Sequence, residues 1–167
     1  MAVVELSSEQ AGSRPGDAKP LRLFLLVVAA ATFLGISLEL WFADHTQEFL
    51  QLVPFATVGL GFLSVTLVAA RPGPASIWLL RLVMLAVAFV SLLGVYEHLR
   101  ANYDFEREIR PNAATLEVAE QSLHGVAPAL APGSLALAAL LAVGATKSHP
   151  VLGGKRHNPG AGEDAAR

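Results

Sequence analysis

The hydrophobic positions of this chain gather into four long runs, and the polar positions fall between them and at both ends. Residues 21–42, 49–70, 77–96 and 125–146 are each mostly apolar over about 20 residues, the length a helix needs to cross the roughly 30 Å hydrocarbon core of a bilayer. Charge enters the first run only at Arg22 and Glu39 and the third only at Arg81, while the second and fourth have none. The pattern predicts an all-α, polytopic membrane protein with four transmembrane helices. Pro128 and Pro132 are the exception inside it. Each lacks a backbone N–H, so the fourth helix needs neighbours that satisfy the freed carbonyls.

The first run reads as an uncleaved anchor. It is longer than a signal-peptide core, a polar segment precedes it, and Leu40-Trp41-Phe42-Ala43 offers no small-x-small cleavage site. The connections at 43–48 and 71–76 are short, so the helices they join are antiparallel neighbours, and Arg71-Pro72-Gly73-Pro74 is a turn signal. The connection 97–124 is different. Helix-forming residues continue to Ile109, Arg110-Pro111-Asn112 stops them, and 113–124 reads as a second short helix. These residues predict a helical cap between spans three and four. Residues 1–20 and 147–167, rich in Gly, Ser, Pro, Ala and charge, read as disordered tails flanking a transmembrane domain at 21–146.

Composition agrees with a membrane protein: 53% hydrophobic and 16% charged, against about 25% charged in an ordinary soluble domain. A net charge of −2 gives no basic surface for nucleic acid. With no cysteine, disulfides, thiolate catalysis and Cys-ligated metal centres are excluded. The basic residues are unevenly shared between the two sides that four spans define. Arg14, Lys19, Arg22, Arg71, Arg81, Lys147, Lys155, Arg156 and Arg167 lie on the side of the termini, and Arg100, Arg107 and Arg110 on the other. Basic residues favour the cytoplasmic side. Both termini are therefore expected in the cytoplasm, the cap on the outer face, and the whole in a bacterial inner membrane. Trp78 at one end and Trp41 and Tyr96 at the other suit the interfacial aromatic belts.

Candidate chemistry collects on the cap side. In the first span Ala31, Gly35 and Glu39 share a face at steps of four, and small residues at that spacing mark helix contacts in membranes. In the third helix Ser91, Gly94, His98, Asn102 and Glu106 form a similar stripe. Glu120 and His124 share a face of the short helix. An outer pocket is thus expected from Glu39, Glu97, His98, Asn102, Glu120 and His124, with Glu39 and His98 approaching beneath the cap. Glu39, His98, Glu120 and His124 would be the ligands if that pocket held a divalent metal. No HExxH or repeated Glu-x-x-His occurs, however, and a hydrogen-bond network accounts for the same residues, so no resident cofactor is expected.

Other chemistries lack their residues. No acid or base lies deep in a span, as proton-driven transport usually requires, and no histidine lies inside one to ligate haem. The membrane serines stand without a His–Asp arrangement, and no polybasic run suggests lipid headgroup binding. Arg81 is expected to snorkel to the cytoplasmic surface. No catalytic residue is assigned. The functional expectation is a structural, accessory or interaction subunit, with membrane lipid as one partner and other membrane proteins or a second copy reached through small-residue helix faces. The alternatives are a ligand-binding, metal-binding or transport module built on the outer pocket, and a membrane enzyme acting at the outer interface.

Overall fold

The apolar runs fold as helices in the computed structural model, which describes residues 18–44, 46–47, 49–125, 127 and 132–153. Most of both expected tails lies outside these residues, as do His45, Glu48 and Pro128. The elements in order are α1 (Ala18–Phe42), α2 (Phe49–Ala70), α3 (Pro74–Ile109), α4 (Thr115–Ser122) and α5 (Gly133–Ala145). Three of them, α1, α2 and α3, are long and apolar enough to cross a membrane. Their outward faces carry large apolar side chains in the open, among them Phe24, Val27 and Leu34 on α1, Leu60 and Leu63 on α2, and Leu82, Leu85 and Phe89 on α3. Apolar exposure on this scale is an aggregation hazard in water and ordinary in lipid. The chain belongs in a membrane.

Leu26, Ala29, Phe33 and Ile36 recur at steps of three and four, so they share one face of α1, and that face is buried. It meets α2 on one side and α5 on the other; α3 likewise meets both α2 and α5, whereas the backbones of α1 and α3 make no close approach among the described residues. The order around the core is therefore α1–α2–α3–α5. Small residues set the closest approaches. A Cβ placed on Gly61 of α2 would lie 2.7 Å from the ring of Phe33, and the inner face of α5 is built largely from alanines 138, 139, 142 and 145.

α3 is a single helix of 36 residues, about 54 Å long at 1.5 Å per residue. That exceeds a hydrocarbon core of roughly 30 Å, so α3 must project beyond it. Pro74 stands in the first turn, where its missing N–H costs nothing. The Ser76 hydroxyl accepts the Gly73 N–H at 2.9 Å. The helix ends at Arg110, where the following Pro111 disfavours helical backbone. α4 then packs back against α3.

The fourth run departs from expectation. A helix over 125–146 is expected, but α5 has only 13 residues and begins after Pro132. It is about 20 Å long, short of a full crossing. The reason is local: Pro132 has no N–H to give to a preceding turn and takes the N-cap position instead. Gly125, Ala127 and Pro132 all lie outside any helix.

Candidate functional site

The stripe on α3 faces inward, and Ser91 and Asn102 on it pair with backbone groups. Ser91 is buried and its hydroxyl donates to the Pro132 carbonyl at 2.6 Å. One turn on, Gly94 lies under the same proline; a Cβ there would stand 2.9 Å from the Pro132 Cβ. Asn102 is buried and makes three hydrogen bonds with its amide. Nδ2 donates to the carbonyls of Ser122 at 3.0 Å and Ala127 at 2.8 Å, while Oδ1 accepts the Ala127 N–H at 2.9 Å. Gly125 passes directly against that amide, leaving no room for a side chain. Non-helical backbone that is buried must find partners outside itself. On the segment leading to α5, α3 supplies them.

The stripe ends in an ionic contact. Glu106 is almost buried, with its Oε2 3.4 Å from Nε of Arg110 but outside hydrogen-bond geometry. Nη1 of Arg110 lies 3.6 Å from Glu117 of α4. Arg110 thus links the two helices, over the buried Val118 and Ser122 of α4.

The remaining candidates are not gathered around this stripe. Ala31, Gly35 and Glu39 are all exposed, and a Cβ on Gly35 would meet nothing within 4 Å. The small-residue face of α1 is therefore not its packing face; the face with Phe33 and Ile36 makes more contact and takes that place. Glu39 is exposed on α1, whose backbone makes no close approach to α3 among the described residues, so the described contacts give no support to the expected approach of Glu39 to His98. His98 is half-buried between Gly94 and Asn102 on the stripe. Glu97 borders a hollow with Arg100, Ala101 and Asp104, all from one helix. The Arg100–Asp104 pair there, at 3.8 Å and exposed, is the kind of i,i+4 contact that contributes little. Glu120 and His124 are exposed. Among the described residues no three His, Asp or Glu side chains come together in a way that would hold a metal ion. The described contacts of Ser91 and Asn102 on α3 satisfy backbone groups.

The opposite end of the helices holds a cluster that sequence reasoning missed. Arg81 Nε donates to the Thr146 hydroxyl at 3.2 Å and Nη2 to the Thr146 carbonyl at 3.0 Å, with the guanidinium 5.1 Å from the Trp78 ring centroid. Thr146 is fully buried at the C-cap of α5, so a cation closes the carbonyl end of that helix. Arg22 Nη2 donates to the Ser148 carbonyl at 3.2 Å. Burial first, and then the Arg22 charge, hold the His149 imidazole below its ordinary pKa of 6.5. The available signal was the placement of Arg22 at the start of the first span and Arg81 one turn inside the third, level with the carbonyl end of the fourth.

No protein-family model, no curated protein and no solved structure matches the chain.

Proposed function

We propose that the chain is a small integral membrane protein that acts as a structural or interaction subunit. In this reading α5, together with the residues from 125 to 132, completes a fourth crossing. The termini lie in the cytoplasm, and α4 with the end of α3 forms a cap on the outer face. Backbone outside a helix is tolerated at membrane depth only where protein covers and satisfies it. Ser91 and Asn102 do this for Pro132 and Ala127, which supports a crossing by a segment whose helix alone is too short. The nine-to-three division of basic residues set out above supports the orientation.

The observation that carries the functional reading is where the polar groups go. Ser91, Asn102 and Arg81 are engaged by the chain's own backbone, so the interior is a closed scaffold. What faces outward is an apolar girdle and the uncovered Ala31–Gly35 face of α1, a surface on which a further membrane helix can approach closely. The absence of cysteine makes this testable without background. A photo-crosslinker attached at Gly35→Cys in native membranes should capture a protein of defined mass, whereas the same probe at Leu85→Cys should capture only lipid. Lipid alone at both positions, with the mildly solubilised chain running as a monomer, would overturn the reading.

A further inference from the structure

Between the start of α1 and the end of α5 lies a recess of about 220 Å³. Its rim carries Lys19, Arg22 and His149, and its floor is apolar, with Leu26 of α1, Val68 of α2 and Ala145 of α5. No acidic side chain among the described residues lines it. Among the described residues no carboxylate lies within ion-pair distance of Lys19 or Arg22, since the ion pairs all involve Arg100 or Arg110 at the far end. Among the described residues, the hydrogen bond from Arg22 goes to a neutral carbonyl, that of Ser148. The His149 imidazole is held below its ordinary pKa first by burial and then by the neighbouring Arg22 charge. A basic rim over an apolar floor, at helix ends where Trp78 is exposed, matches a molecule with a phosphate at one end and hydrocarbon at the other. Basic recesses between membrane helices on the cytoplasmic side take anionic lipid headgroups in this way.

We propose that this recess is a binding site for an anionic phospholipid, whose phosphate sits among Lys19, Arg22 and His149 while its glycerol and first acyl carbons cover Leu26, Val68 and Ala145. The assignment to the cytoplasmic leaflet rests on the four-crossing orientation proposed above; the site itself does not. A zwitterionic lipid brings its own ammonium to the rim and is disfavoured. Lys19 and Arg22 lie on α1 and His149 follows α5, so the full rim exists only once α1 and α5 are packed together.

Native mass spectrometry on the full chain tests this. The detergent-solubilised protein is equilibrated with equal parts phosphatidylglycerol and phosphatidylcholine. Phosphatidylglycerol should be retained preferentially. Lys19→Gln should reduce that preference about fivefold, the factor that about 1 kcal/mol per basic residue near an anionic lipid corresponds to, and Lys19→Glu should abolish it. Lys19 is exposed and forms no ion pair among the described residues, so these variants should melt as the parent does; Arg22→Gln should also lose preference, with Lys19→Gln deciding if it unfolds. Arg100→Gln, at the other end, should leave retention unchanged. Equal retention of the two lipids, or an equal loss from Arg100→Gln, would overturn the proposal. So would complete displacement of the lipid by excess inorganic phosphate, which would make this a simple anion site. Because retention is read in detergent, an error in the orientation would leave the result unaltered and would be detected separately by side-specific labelling.

Discussion

Asn102 holds three backbone groups with one amide: the carbonyls of Ser122 and Ala127 and the N–H of Ala127. Replacing it with alanine leaves these groups buried without partners, at a cost of about 1–3 kcal/mol. Asn102→Asp keeps the shape but turns a donor into an acceptor facing two carbonyl oxygens, so it should destabilise at least as much as Asn102→Ala. Thermal unfolding in detergent reads both. An aspartate variant as stable as the parent would contradict the clamp. At the other end His149 makes a pH-dependent contribution. Its folded pKa lies below the unfolded value near 6.5, so on acidification the unfolded chain takes up the proton first. Stability is therefore full above pH 6.5 and falls as pH drops from there through the folded pKa. In a zwitterionic detergent, the parent should lose more stability than His149→Gln between neutral and mildly acidic pH. Parallel curves would remove His149 from the account.

Among the elements, the α1–α2 contact depends on one glycine. An added methyl at Gly61 would press on the ring of Phe33, which is fully buried. Overpacking of this kind costs about 1–3 kcal/mol. Gly61→Ala should therefore destabilise, and Phe33→Leu, which removes the ring, should make the second substitution much cheaper than it is in the parent. Strictly additive losses in that double-mutant cycle would show that the two side chains do not compete for space. The same element scale explains what was legible beforehand. The runs of apolar residues located α1, α2 and the membrane part of α3, and the Arg110-Pro111-Asn112 stop located the break before α4. Helical spacing also placed Ser91, Gly94, His98 and Asn102 on one stripe. It could not say what the stripe faces. Period alone assigns residues to a common side, and the choice of inward side depends on how well each side packs. On α3 the small and polar side packs, against Pro132 and Ala127; on α1 the side with Phe33 packs, and Ala31, Gly35 and Glu39 are left outside. The length of α5 was illegible for a related reason. Hydropathy does not register that Pro132 starts a helix rather than continuing one.

Across the whole molecule, two clusters at opposite ends hold α5 in place. Ser91 and Asn102 receive the backbone that leads into it, and Arg81 closes its carbonyl end at Thr146. Both act on an apolar helix too short to cross a bilayer by itself. Their combined effect in the proposed topology is to let a proline-interrupted segment serve as the fourth crossing. That crossing fixes everything else at this scale: the side on which the cap lies, the side of the basic recess, and the common location of the termini. Since the chain has no cysteine of its own, single cysteines at Asn112 and at Lys147 can be labelled with a membrane-impermeant maleimide in intact cells and again after lysis. The account predicts that Asn112→Cys is labelled in intact cells and Lys147→Cys only after lysis. Labelling of both from the same side would contradict the fourth crossing.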